Sequence, residues 1–226
     1  MVELGAPAGL LSCIAPEITM PHSLLNRRKV ATALLAMPVV WTGLRAQPAA
    51  ARRPTPAQSE GPFYPVSIPS DSDFDLLRNG AAAYTKGQPA WVEGSVTDLQ
   101  GKPVAGAQVE IWQCDEAGHY HHPGDGGRAD RAFQGFGRVT VGADGKYRFR
   151  TIRPAPYSGR TPHIHVKVKL GSRDLLTTQL YVAGEPHNER DFLWRNLGPQ
   201  ARELVTVPFA QGVDGLRANF PIVLAT

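Results

Sequence analysis

The chain has 226 residues, enough for one domain with its own core, and 42% hydrophobic against 19% charged residues excludes a disordered or solvating protein. The formal net charge is +4, and part of that surplus sits in the first fifty residues. The remainder is close to neutral, which gives no argument for nucleic acid as a partner, and none is expected.

In chain order, Asn26-Arg27-Arg28-Lys29 precedes an apolar run from Val30 to Trp41, followed by small residues with Ala49-Ala50-Ala51 as a cleavage site. The order basic, apolar, small is that of a signal peptide, and the apolar run is too short to span a bilayer. Paired arginines point to the twin-arginine route, which carries folded proteins. A Sec signal or an uncleaved anchor are the other readings. Residues 1–51 are therefore expected to be a leader, with Met20 as the true start. Residues 52–226 are expected to be a folded domain exported to the periplasm or beyond the cell, with no stable membrane insertion after processing. A cytoplasmic enzyme without a leader is the alternative. Cys13 falls in the leader, which leaves Cys114 without an internal disulfide partner. Cys114 lies in an apolar strand and reads as a buried, inert thiol.

From Trp91 onward the pattern is β. Short runs at Trp91–Thr97, Val104–Trp112, Lys146–Thr151, Ile164–Leu170, Leu175–Val182, Leu204–Pro208 and Ala218–Leu224 are rich in β-branched and aromatic residues. They are bounded by Gly, Pro and Asp, and together they predict an all-β, antiparallel sandwich in one domain. Long helical patterns are absent after residue 50. Asp98-Leu-Gln-Gly101-Lys-Pro103 reads as a hairpin turn before an alternating strand. This resembles the prealbumin-like sandwich, a scaffold that favours no function by itself. Two loops, Asp115–Gly137 and Arg153–Pro162, are long for a compact sandwich, and such loops are usually functional.

Candidate chemistry centres on His163-Ile164-His165. In a strand, residues i and i+2 share a face. Ile164, Val166, Val168 and Leu170 are expected to face the core, and His163, His165, Lys167 and Lys169 to face away from it. Two imidazoles one pleat apart can share a metal ion, but the same pair also describes two solvated histidines. A zinc hydrolase built on them would want a third His or a carboxylate. His119, His121 and His122 read as loop or solvent residues rather than as a metal cluster. Tyr147 and Tyr181 read as core residues, and Arg138 and Arg150 as structural hydrogen-bond donors. Tyr64 fits a cleft border and a packing role equally well.

Pro156-Tyr157-Ser158-Gly159-Arg160-Thr161-Pro162 leads into the histidine pair, and Trp112-Gln113-Cys114-Asp115-Glu116-Ala117-Gly118-His119-Tyr120 lies upstream. With Thr55–Pro65, Val109–Gln113, Phe133–Arg138, Phe149–Ile152 and Leu176–Tyr181, these motifs resemble, in order, those of the intradiol ring-cleavage dioxygenases. The resemblance runs from about Pro54 to the C-terminus. No helical segment is apparent before Trp91, which makes the chain more similar to the protocatechuate-type members than to the catechol-specific ones. The resemblance implies a prealbumin-like β-sandwich and a non-haem Fe(III) held by Tyr120, Tyr157, His163 and His165. It implies that Tyr157 leaves the metal as substrate arrives, that Arg160 stabilises the charged substrate, and that Gln179 belongs to the pocket. It also implies a catechol-type substrate and O2 as partners, with a cis,cis-muconate-type dicarboxylate as product. The donor types agree with this. Phenolate is a hard anion suited to ferric iron, whereas two histidines and one carboxylate belong to ferrous oxygenases. A tyrosine ionises near neutral pH only beside such a cation. The alternative is a non-catalytic prealbumin-like binding domain, against which the complete ligand quartet argues. The particular catechol and the formation of a homo-oligomer are left open by the sequence.

Overall fold

The computed structural model describes residues 52–226. The expected leader, with Cys13, Met20, Arg27 and Arg28, lies outside the described residues. A short ribbon comes first, β1 (Arg78–Asn79) and β2 (Ala82–Ala83). It is followed by β3 (Pro89–Asp98), β4 (Gln108–Trp112), β5 (Phe136–Thr140), β6 (Lys146–Ile152), β7 (His163–Leu170) and β8 (Arg173–Val182). Two short helices follow, α1 (Phe192–Arg195) and α2 (Pro199–Val205), and then β9 (Thr206–Val207), β10 (Ala210–Gly212), β11 (Gly215–Asn219) and β12 (Ile222–Leu224). Among the described residues no helix is long and apolar enough to cross a membrane.

The strands form the expected sandwich. One sheet runs β5-β4-β7-β8-β9, and the other runs β10-β11-β3-β12 with β6 paired to β3. Val109, Ile111, Ile164, Val166 and Leu180 from the first sheet meet Val92, Val96, Phe149, Ala218 and Ile222 from the second in one buried core. Full burial of each such large apolar side chain stabilises the fold by roughly 1.5–3 kcal/mol. Pairing is antiparallel through β4, β5, β7 and β8. The C-terminal strands depart from the antiparallel expectation, since β11 and β12 both pair parallel to β3, and β9 pairs parallel to β8.

Several predicted boundaries move for physical reasons. The run Ala218–Leu224 is broken between β11 and β12 at Phe220-Pro221, where proline offers no N–H to a ladder. The run Leu204–Pro208 begins inside α2, which opens with Pro199 at its first turn and continues through good helix formers. β5 emerges at the end of the predicted Asp115–Gly137 loop.

β7 follows its predicted alternation as far as Val168. Ile164, Val166 and Val168 enter the core. Leu170 does not: it is exposed, because the β7–β8 register shifts between Val168 and Lys169. His163, His165 and Lys167 face away from the core as expected, yet all three are buried, so they are not the solvated residues of the alternative reading. Their face is covered by the segment 55–65. Gln58 N–H donates to the Thr177 carbonyl at 2.8 Å, and the Gln179 amide donates to the Ser59 carbonyl at 2.9 Å. Glu60 forms an ion pair with Lys167. Lys167 Nζ also lies 3.9 Å from the centre of the Tyr64 ring, which accounts for burial of a lysine on this face.

Candidate active site

β7 carries His163 and His165 under this cover. The β4–β7 ladder sets Trp112 opposite His165, and the two rings stack at 4.8 Å with planes 8° apart. His163 Nδ1 lies 2.6 Å from the Thr161 carbonyl, which fixes the proton on Nδ1 and leaves a lone pair on Nε2. That Nε2 stands 3.2 Å from Nε2 of His165. Burial, with the nearby Arg160 charge, holds the His163 imidazolium down to about 3. His165 is likewise held well below its ordinary value, by burial and by its neighbours His163 and Arg160. Both rings are therefore neutral ligands in waiting.

The long loop after β4 brings Tyr120 to the same place. Asp115 organises the loop: its carboxylate accepts the N–H groups of Ala117, His119 and Asp130 at 2.8–3.0 Å. Asp125 accepts the Tyr120 N–H at 2.8 Å. The Tyr120 ring is buried, stacked on Phe63 at 4.7 Å and edge-on to Tyr157 at 4.9 Å. Its Oη has no hydrogen-bond partner. Tyr157 sits at the first position of a tight turn closed by Arg160 N–H to the Tyr157 carbonyl at 2.7 Å. Both central residues have positive φ, Ser158 at 44° and Gly159 at 77°. Ser158 is the one non-glycine residue among the described residues in that region, a strain that settles at functional turns. Burial raises both phenols above their ordinary value, more for Tyr120, and Arg160 opposes the rise at Tyr157.

Arg160 is locked from two sides. Its Nε donates to Asp191 Oδ2 at 2.6 Å, and its Nη2 donates to Gln179 Oε1 at 2.7 Å. Gln179 faces His165 across the β7–β8 ladder and is fully buried. Its Oε1 also accepts from Tyr181 Oη at 3.0 Å, and its Nε2 is taken by Ser59, so both ends of the amide serve the protein. Gln179 thus enters the site as the support of Arg160. The structure brings together all six residues expected from the sequence.

The donor set fits a ferric ion. Tyr120 Oη and His165 Nδ1 are buried polar atoms without partners, and two imidazole nitrogens face one another. Without a neighbouring cation the two phenols stay protonated, and a bound trivalent metal would reverse that. The zinc-type alternative lacks its third ligand: among the described residues no group of three or more His, Cys, Asp or Glu could hold a metal ion. His121 is bound to the carbonyls of Asp130 and Phe133, and His122 accepts the Gly124 N–H, so these two loop histidines are structural, while His119 Nδ1 lies 3.4 Å from Asp125 Oδ2. Tyr147 donates to the Phe220 carbonyl, Tyr64 to Glu110, and Arg150 pairs with Asp75. Cys114 is buried, and burial pushes its thiol up to about 12.

Three contributors escaped the sequence. Asp191 stands at the N-cap of α1, a position that Asp before a helical run does signal, but its grip on Arg160 has no local trace. Trp112 and Phe63 lay inside quoted motifs, yet their stacking on His165 and Tyr120 depends on how strands and loops assemble.

A family model described as Dioxygenase matches residues 59–225. Hydroxyquinol 1,2-dioxygenase of Nocardioides simplex is 32% identical over 198 residues, covering 76% of this chain and 64% of that protein. The protocatechuate 3,4-dioxygenase beta chain of Burkholderia cepacia is 35% identical over 165 residues, or 66% of this chain and 68% of that one. Among solved structures, the dioxygenase domain of a dioxygenase carbohydrate-binding protein fusion from Streptomyces sp. SirexAA-E is 34% identical, with a TM-score of 0.62. That match covers 77% of this chain and 99% of the other. The chain spans less than two thirds of the hydroxyquinol relative's own length.

Proposed function

The chain belongs to the intradiol ring-cleavage dioxygenase family, and from that membership we propose that it inserts both atoms of O2 between the hydroxyl-bearing carbons of a catechol-type substrate. The product is a cis,cis-muconate-type dicarboxylate, and the cofactor is non-haem Fe(III). The observation that carries this reading is the convergence of one buried phenol, one partly buried phenol and two neutral imidazoles beside one arginine.

Tyr120, Tyr157, His163 and His165 would hold the iron. When bound, ferric iron supplies the positive charge that ionises the phenols and makes a chelated catecholate reactive toward O2. The protein's own residues divide the remaining work. Tyr120, buried beneath Phe63, is the phenol held in place. Tyr157 is only partly buried and lies on the strained turn, so its Oη is the group that can swing away and take a proton from an incoming catechol hydroxyl. Arg160 carries a permanent charge and only donors, so it cannot ligate a metal. It stabilises negative charge that develops on the ring before oxygen attack. Gln179 keeps it there. The relatives named for hydroxyquinol, catechol and protocatechuate support a catechol-type substrate class.

The test is oxygen uptake by the iron-loaded protein with catechol, hydroxyquinol and protocatechuate, with the product resolved by mass spectrometry. Uptake matched by a muconate-type dicarboxylate is expected from at least one of the three. A ring opened outside the two hydroxyl carbons, or no uptake from any member of the panel, overturns the reading.

A further inference from the structure

Asp191 lies on no expected catalytic motif, yet its carboxylate is among the most engaged groups in the protein. The side chain is fully buried. Oδ2 accepts from Arg160 Nε at 2.6 Å and from the Thr161 N–H at 3.0 Å. Oδ1 accepts the N–H groups of Leu193 and Trp194, each at 3.0 Å, and lies 3.5 Å from Arg160 Nη2. One carboxylate therefore ties the Arg160 turn to the start of α1. A buried charge persists only where it is paired and hydrogen-bonded. Here its acceptor positions are divided between a guanidinium and three backbone donors.

The arrangement specifies Arg160 more than stability requires. A long guanidinium side chain anchored at Nε alone could still swing; anchored also through Nη2 to Gln179, it is fixed in plane and in rotamer. Nη1 is then the one nitrogen engaged by neither Asp191 nor Gln179. The Phe192 ring lies 5.5 Å from the guanidinium carbon. Thr161, fixed by the same carboxylate, presents the carbonyl that holds His163. It has an independent tether, Thr161 Oγ1 to Asn188 Oδ1 at 2.8 Å, so His163 does not depend on Asp191 alone.

We propose that Asp191 is a positioning residue for the ring-cleavage reaction, acting on turnover through Arg160 by holding its guanidinium toward the bound catechol-type substrate. This rests on the dioxygenase reading above. Asp191→Asn is the informative variant. Asn caps a helix about as well as Asp, so α1 keeps its start. The substitution removes the charge, and its amide donors cannot serve both Arg160 and the Thr161 N–H as the carboxylate does.

The experiment is a double-mutant cycle of Asp191→Asn with Arg160→Ala, all four proteins iron-loaded. Turnover of the best catechol of the panel is read beside iron content, visible absorption, melting temperature and the affinity for 4-nitrocatechol. In the Arg160 background, Asp191→Asn is expected to lower kcat by about 100-fold, the loss typical of one preorganised donor. Iron content and colour are expected to stay, and 4-nitrocatechol affinity to change little. In the Arg160→Ala background the same substitution should cost almost nothing further. Equal losses in both backgrounds overturn the proposal, because Asp191 then acts independently of Arg160. Loss of iron in step with turnover also overturns it, in favour of a fold-level role. A wild-type protein that opens no catechol overturns the dioxygenase reading and this proposal with it. That outcome is distinct from the other two, which require an active wild type.

Discussion

Tyr120 and Tyr147 are both buried tyrosines, and the difference between their hydroxyl groups separates a functional residue from a structural one. Tyr147 Oη donates to the Phe220 carbonyl and sews β6 to the C-terminal strands. Tyr120 Oη is buried with no partner. An unpaired buried hydroxyl costs stability, whereas a paired one contributes on the order of 1 kcal/mol. Tyr147→Phe is therefore expected to lower the melting temperature of the iron-free protein, while Tyr120→Phe should leave it unchanged or raise it. The order should invert for iron: Tyr120→Phe should weaken and shift the visible phenolate band, leaving what Tyr157 contributes, and lower metal affinity, and Tyr147→Phe should change neither. Thermal melts and iron titrations on the two variants check this. A Tyr120→Phe protein that is less stable without metal and keeps the wild-type spectrum and affinity with it would remove Tyr120 from the ligand set. At this scale the sequence was informative where a motif carried the residue: Tyr120, Tyr157, Arg160, His163 and His165 all stand in two short stretches. It was silent on Asp191, which reaches Arg160 across 31 positions of sequence through a contact that no periodicity records.

The segment 55–65 is the element whose role the sequence could not show. Its motif was legible, but nothing in Thr55–Pro65 states that it lies across β7 and β8 and buries the outward face of the histidine strand. Alternation correctly put His163 and His165 opposite the core; it could not tell a solvent face from a covered one. Gly61 is where the strap comes closest. It has φ +72°, and a Cβ there would stand 3.3 Å from His165 Cε1. Gly80 has φ +58° and nothing within 4 Å. Alanine at either position carries the left-handed penalty, roughly 1–2 kcal/mol. Only Gly61→Ala should also displace His165. Both variants are expected to melt earlier by similar amounts, and Gly61→Ala alone should weaken iron binding and alter the visible spectrum. Equal iron affinity in the two variants would show that the strap has room to give and that Gly61 serves only its turn.

Across the molecule, different forces hold the sandwich and the site. The two sheets meet through an apolar core that no proton can alter. The segments around the site are tied instead by carboxylates. Burial raises Asp191, but the hydrogen bond from Arg160 and the N–H groups of Trp194 and Thr161 outweigh it, and the group ends lowered. Burial likewise opposes and fails to prevent the lowering of Glu185 by His187 and Arg153. Asp130 is lowered by Lys86 and by the Ala132 N–H. A carboxylate lowered on folding contributes stability that is complete above its unfolded value, about 4, and is lost as the pH falls from there through the lowered folded value. The buried imidazoles of the iron-free chain act with the same sign, since the unfolded chain takes up their protons first as the pH drops below about 6.5. Acid should therefore loosen the site before it melts the sandwich. Between pH 6 and pH 3 the melting temperature of the iron-free protein is expected to fall. Near the acid end of that range, proteolysis should cut within residues 115–135 and 153–162 while the far-ultraviolet β signal persists. Asp191→Asn should be less stable than wild type at pH 6 and should lose less on acidification, because the charge it would have surrendered is already absent. A melting temperature flat from pH 6 to pH 3, or cleavage that appears only when the β signal collapses, would place the loops and the sandwich in one cooperative unit held by the core alone.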